Sequence, residues 1–352
     1  VLITVQAGLV LGLISMMSLP VDRAAADIWV GYPGVRSVDL GRPIPERWVV
    51  RLDSHPEVER VEPTILGFAL WTRRGRTPSS SVSEVCTIVG TRLDRNSLAA
   101  VDGVRGDPEL LARLSVLGSV AVDRSECGRL GLYSIGETAE IMGRRVEVVG
   151  FVHGYKSLGG PYVFCSLDTA RMILTYRNDE VTYLVAKTKD PDAAVRVAER
   201  MAPYSQLISL TAPEFSTRSR MHWLLTTKAG IAVGFTALLG LLVGAVVTSQ
   251  TLYAATAASH REFATLRAMG IPKWRLKASV LVQSFWVGLF GIVVAAPITL
   301  ILAEVANTMG TSVRLHPLIV ASASGITMIM ALASGLAALR SFQKIDPAHN
   351  IR

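Results

Sequence analysis

The sequence predicts a membrane α-helical protein with four transmembrane helices in a 1+3 arrangement and an α+β extracytoplasmic domain inserted between the first and the second. Three observations carry this. Half of the 352 residues are hydrophobic and 18% are charged, against roughly 25% charged in a soluble globular domain, and the mean hydropathy is +0.39. Residues 1–19, 229–247, 278–302 and 318–339 form apolar runs free of Asp, Glu, Lys and Arg, each close to the roughly 20 residues a helix needs to cross a bilayer. Between the first two runs, residues 20–222 carry 26 Lys and Arg against 25 Asp and Glu, so nearly all of the net charge of +8 lies elsewhere. This division excludes a disordered chain, a disulfide-stapled mini-protein and an ordinary cytosolic enzyme. It also makes membrane topology, rather than nucleic-acid binding, the reading of the positive balance.

The first element, 1–19, has a rival reading as a secretory signal peptide, because Ala24-Ala25-Ala26 follows it. Against that, the run exceeds the roughly 7 to 15 residues of a signal-peptide core, and no basic residue precedes it. The chain opens with Val inside the run. The expectation is a truncated amino terminus or a non-standard start.

The domain at 20–222 mixes strands and helices. Residues 47–52, 65–71 and 85–93 read as strands. Residues 135–152 read as a hairpin with its turn at Met142-Gly143-Arg144. A strand at 162–166 leads into a helix at 168–175 with Asp168 as its cap. A strand at 181–187 precedes a helix at 193–201, opened by Asp190-Pro191-Asp192. The alternation indicates α+β. Cys86, Cys127 and Cys165 show no metal spacing and read as buried apolar thiols; no disulfide is assigned.

The second span and its polar extension occupy 223–258. Gly230 and Gly234, then Gly240 and Gly244, place small residues four apart and let another helix approach closely, either within one subunit or across a dimer seam. Gly288, Gly291 and Pro297 interrupt the third span (278–302), and Ala321 and Gly325 offer another such step on the fourth (318–339). Trp223 and Lys228 read as an outer interfacial anchor with a snorkelling lysine, beside His222. The loop 259–277 holds Arg261, Arg267, Lys273, Arg275 and Lys277 against Glu262, and the tail 340–352 holds Arg340, Lys344 and Arg352 against Asp346. Both read as cytoplasmic, whereas the outer loop 303–317 has only Glu304 and Arg314. Both termini then lie in the cytoplasm.

Phe263, Leu266 and Met269 recur at helical spacing, Gly270 is placed to end the helix and Pro272 stops it from resuming. On these grounds alone, an interfacial helix and a docking element for a soluble partner remain equally open. The Glu-x-Ala-Thr-Leu-x-Ala-x-Gly pattern at Glu262 to Gly270 resembles the loop between the second and third spans of FtsX-like permeases of ATP-binding-cassette (ABC) transporters, the MacB superfamily. Within it the chain is most similar to DevC-type exporter permeases, a likeness that includes the strand Leu66-Gly67-Phe68-Ala69-Leu70-Trp71 and the tail Lys344-Ile345-Asp346-Pro347-Ala348.

The resemblance implies a MacB-like periplasmic core for the inserted domain and a permease that forms a homodimer in the inner membrane. A separate ABC ATPase subunit would bind the ATP, with Glu262, Phe263, Leu266, Arg267 and Gly270 forming the coupling helix. It further implies a periplasmic adaptor (membrane fusion protein), an outer-membrane duct, and a cargo such as a glycolipid, lipoprotein or drug. The alternative is an FtsX-like signalling subunit that regulates a cell-wall hydrolase. Family members begin with a basic amphipathic cytoplasmic helix, and the expectation is that a misplaced start explains why the chain opens inside the first apolar run instead.

The chain has no GxxxxGK[ST] phosphate loop, so ATP hydrolysis falls to a partner. Gly159-Gly160 reads as part of a turn. The six histidines include no HExxH and no pair four apart, and no nucleophile stands beside a base. The expectation is therefore a non-catalytic subunit with no metal, cofactor or nucleic acid of its own and with membrane lipids around it.

Overall fold

The computed structural model describes residues 2–73, 82–157, 159–190, 192–226, 228–258, 269, 272–308 and 317–343. The chain divides into two compact units, Ile14–Thr227 and the pair of segments Val1–Leu13 and Lys228–Arg352.

The first unit is the α+β domain. In chain order its elements are the end of α1 (Leu2–Met16), then α2 (Leu19–Asp22), β1 (Ile28–Gly31), β2 (Ile44–Pro45), α3 (Trp48–Asp53), β3 (Val58–Arg73) and β4 (Val82–Thr91). They are followed by α4 (Asp102–Arg105), α5 (Pro108–Leu114), β5 (Ser119–Asp123), α6 (Cys127–Leu130), β6 (Thr138–Ile141), β7 (Arg144–Val152) and β8 (Tyr162–Ser166). The last are α7 (Leu167–Leu174), β9 (Glu180–Val181), β10 (Tyr183–Thr188), α8 (Ala193–Met201), β11 (Ile208–Thr211) and α9 (Ala212–Thr226).

Nine strands run in the order β11-β1-β10-β3-β4-β8-β5-β7-β6, and β6 pairs back onto β3. Six strands therefore close on themselves while β10, β1 and β11 extend an open wing. The long strand β3 serves both parts: Val58–Thr64 lies against β10, whereas Ile65 to Arg73 lies against β4, with Trp71 and Thr72 also opposite Ile141 and Glu140. Closure leaves no free edge among the six strands and buries their inward residues. Ile65, Trp71, Ile88, Val120, Val122, Val148 and Val163 are all fully buried in one core. The Trp71 indole satisfies its N–H on the Leu130 carbonyl at 3.2 Å.

Two local expectations need correction. Residues 47–52 fall on helix α3 (Trp48–Asp53) and its cap Arg47, not on a strand; Leu52 is fully buried and Trp48 and Val49 pack against the core, whereas Val50 is exposed, a helical face rather than an alternation across a sheet. The cap of α7 is Ser166, whose hydroxyl accepts the Thr169 N–H at 3.2 Å, while Asp168 lies inside the first turn, where its charge complements the helix dipole. The hairpin turn falls at Met142 and Gly143, both with positive φ (50° and 74°), as a two-residue type I′ connection requires. The three cysteines are free and buried.

The second unit is helical. It includes the start of α1, then α10 (Lys228–Ala258), a 36-residue helix Lys273–Thr308 that contains Pro297, and the helix Pro317–Gln343. Among the described residues, one helix, Ala278–Ala306, is long and apolar enough to cross a membrane, and Gly234–Thr248 and Val320–Leu336 are shorter apolar helices. The outward surface is itself apolar, with Ile231, Phe235, Phe290, Ile301 and Ile329 all more than half exposed, as suits a lipid-facing bundle. Close approach uses small residues. A Cβ at Gly288 would touch Ala331 and Met328, and one at Gly335 would strike Ser284. On α10 Gly244 faces Met330, whereas a Cβ at Gly234 would meet open space.

Candidate functional site

The α+β domain is entered through α2 and left through α9, and the two are fastened together. Ser18 and Asp22 stand at the ends of the four-residue helix α2, whose turn brings both side chains to one face. The Ser18 hydroxyl donates to Asp22 Oδ2 at 2.7 Å, and the Ser216 hydroxyl of α9 donates to Asp22 Oδ1 at 2.7 Å. Arg220, four residues further along α9, donates to Ser18 Oγ at 2.8 Å and to Asp22 Oδ2 at 2.6 Å. Both carboxylate oxygens are thus occupied by α9. The charged partners are partly exposed, at 39% and 31%, so the clasp holds through hydrogen-bond geometry more than through Coulomb energy.

Beside the clasp, α9 packs on the short helical turn Val38–Leu40. Ser219 Oγ accepts the Val38 N–H at 3.1 Å, and the Tyr183 hydroxyl donates to the Val38 carbonyl at 2.8 Å. Trp29, Tyr183 and Phe215 meet edge to face or tilted, with centroids 5.6, 5.8 and 5.5 Å apart, a geometry favoured by the ring quadrupoles. The indole N–H of Trp223 donates to Ser37 Oγ at 3.0 Å and to Asp39 Oδ2 at 3.1 Å. Asp39 is buried, and its Oδ1 has no hydrogen-bond partner among the described residues. Burial pushes the Asp39 carboxyl up to about 6, against the bonds from Trp223 and Ser37 that pull it down. The arrangement couples the position of α9 to one titratable acid.

Of the residues singled out by sequence, Trp223 is the one this neck uses, through its polar end. Gly230, Gly234, Gly240 and Gly244 lie on α10, and Lys228 opens it. Glu262, Phe263, Leu266, Arg267 and Gly270 lie outside the described residues. Near them, Met269 and Trp274 are 67% and 65% exposed, and the Arg275 guanidinium sits 5.4 Å over the Trp274 ring. No group of three or more His, Cys, Asp or Glu among the described residues could hold a metal. Sequence reasoning missed Ser18, Asp22, Asp39, Ser216 and Arg220. A usable signal existed: an acid just after the first apolar run and a base just before the second are two opposite charges at the single mouth of an inserted domain.

Residues 1–204 match the MacB-like periplasmic core domain and residues 234–347 the C-terminal domain of FtsX-like permeases. Comparison with curated proteins gives no match. Among solved structures, the chain is similar to the periplasmic region of MacB from Actinobacillus actinomycetemcomitans, at 12% identity over 56% of this chain and 94% of that one, with a TM-score of 0.38. It is also similar to the extracellular domain of the noncanonic ABC-type transporter YknZ from Gram-positive bacteria, at 12% identity over 52% and 98%, with a TM-score of 0.35. The family matches together cover most of the sequence, and the chain belongs to the FtsX-like permeases that carry a MacB-like periplasmic core domain.

Proposed function

We propose that this chain is the permease subunit of an ABC-type exporter that converts ATP hydrolysis by a separate ATPase into movement of its extracytoplasmic domain. The observation that carries the reading is the clasp of Ser18 and Asp22 with Ser216 and Arg220. The two chain segments that join the domain to its apolar helices are locked to one another, so displacement of either reaches the domain as one rigid movement. A hinge built for independent motion would lack such cross-bonds.

In this reading residues 1–19, 229–247, 278–302 and 318–339 span the membrane in the 1+3 arrangement, with both termini cytoplasmic. Two copies form the working unit. The segment around Glu262, Phe263, Leu266, Arg267 and Gly270 docks on the ATPase. The spans carry no charged residue, which suits transmission of force better than conduction of a polar solute. The cargo is then hydrophobic or amphipathic, such as a glycolipid, lipoprotein or drug, handed to an adaptor and an outer-membrane duct.

The test is reconstitution of the chain with its ATPase and adaptor in vesicles. The expected result is ATP-dependent movement of a lipid-like cargo, abolished when the clasp is removed by Asp22→Ala with Arg220→Ala. ATP turnover that moves no candidate cargo but activates a cell-wall hydrolase would replace export by the signalling reading.

A further inference from the structure

We propose that the groove on α9 seats an anionic phospholipid of the outer leaflet, its headgroup on Arg36 and Arg218 and its acyl chain on Met221 and Leu225. The groove, about 790 Å³ in volume, is lined by one stripe of α9 together with Leu210 of β11 and Arg36 from the loop after β1. Glu214, Arg218, Met221 and Leu225 follow one another at spacings of four, three and four, with His222 four after Arg218, which stacks them on one helix face. Along that face the chemistry is ordered. Glu214 comes first, Arg218 next, and the apolar side chains last, toward the end at Thr226.

Glu214, the one acid on the groove, is already committed: its Oε2 accepts the Thr211 N–H at 2.9 Å and its own N–H donates to Thr211 Oγ1 at 3.4 Å, a capping box at the start of α9. Arg36 and Arg218 have no carboxylate within ion-pair distance among the described residues. The positive field is felt locally, since His222 is held below the usual imidazole range by burial and then by the Arg36 charge. Met221 and Leu225 are 47% and 69% exposed. A surface with two uncompensated guanidiniums above an exposed apolar floor matches an anion joined to a hydrocarbon chain.

Chain connectivity favours a lipid as the occupant. Only residue 227 separates Thr226 from Lys228, where the apolar helix α10 begins. Two residues span at most about 7 Å, so the apolar end of the stripe is close along the chain to the first residue of α10. Arg218 lies about 10 Å before Leu225 along α9, and its long stem holds the charge away from the apolar end of the stripe. The inference rests on α10 being membrane-embedded, as the function proposed above requires.

The test uses the full chain in vesicles of phosphatidylcholine that contain either diazirine-acyl phosphatidylglycerol or diazirine-acyl phosphatidylcholine, with labelled peptides mapped by mass spectrometry. Labelling at Met221 and Leu225 is expected from the phosphatidylglycerol probe. It should drop on the order of tenfold in Arg36→Gln with Arg218→Gln, as loss of two surface cations implies, and return in Arg36→Lys with Arg218→Lys. Equal labelling by the two probes, or labelling indifferent to the glutamine variants, overturns the proposal. So does a crosslink from position 221 to protein instead of lipid. Carbonate extraction separates the two readings: a chain that stays in the membrane without labelling on α9 sinks the lipid site alone, whereas a chain released by carbonate sinks the permease reading with it.

Discussion

The indole N–H of Trp223 donates to the carboxyl of Asp39 at 3.1 Å, across 184 residues of sequence. Through this bond the last turn of α9 is tied to a buried acid whose second oxygen has no partner among the described residues.

That acid sets a pH dependence. Unfolded, Asp39 ionises near pH 4; folded, it ionises near 6 because burial penalises its charge. Between these values the folded state holds more protons. Its contribution to stability is therefore complete below about pH 4 and is lost as the pH rises through about 6. The swing is roughly 3 kcal/mol at most. Thermal unfolding of the protein and of Asp39→Asn, compared from pH 4 to pH 8, should show a difference that shifts in favour of the variant as the pH rises and levels off above 6. A constant difference would refute the coupling.

The clasp predicts non-additivity. Asp22→Ala and Arg220→Ala should each destabilise the domain by about 1 to 2 kcal/mol, and the double variant should cost about 1 kcal/mol less than their sum, because the bond is lost only once. Denaturant unfolding in a double-mutant cycle measures this. Strict additivity would mean that the two groups do not interact in solution.

Gly160 adopts φ 122°, and a Cβ there would collide with the Val85 carbonyl of β4. Gly160→Ala combines backbone strain with a steric clash and should cost on the order of 3 kcal/mol. Gly143→Ala, at φ 74° with open space around it, should cost about 1 kcal/mol. Comparing the unfolding midpoints of the two variants tests the ranking.

The thiols should be silent in the native state. Burial pushes Cys86 up to about 12 and raises Cys165 and Cys127, so the reactive thiolate is scarce at neutral pH. Titration with a thiol reagent should count none of the three in the folded protein at once and all three in denaturant. Prompt reaction of Cys86 or Cys165 would contradict the burial.

Phe263→Asp or Leu266→Asp should release the ATPase while leaving membrane insertion intact, because each removes part of an apolar stripe without touching a span. Copurification of the ATPase with each variant is the measurement. Undiminished recovery and activity would refute the docking role.

Much of this was legible in the chain itself. The charge-free runs, the nearly neutral insert and the clustering of Lys and Arg in two segments are properties of composition and need no tertiary information. The hairpin at 142–143 and the helix Ala193–Met201 were legible because their signals are local. Helix α3 was misread because Trp48, Val49 and Val50 favour strands intrinsically, while Leu52 and the covering of β3 decide the packing.

What only the tertiary structure decided is the neck. Asp22 and Arg220 stand 198 residues apart, and no periodicity links them. They meet because β1 lies between β10 and β11 in the sheet, which returns α9 to the side of α2. The six-strand closure through β3 and β6 is equally non-local, since strand pairing depends on which edges remain unsatisfied after the rest of the sheet has formed. Sequence thus determined which segments are apolar and free of charge and which carry the charged residues. The fold decided which polar side chains hold the domain's entry and exit together, because those bonds exist only where distant segments are brought within hydrogen-bond reach.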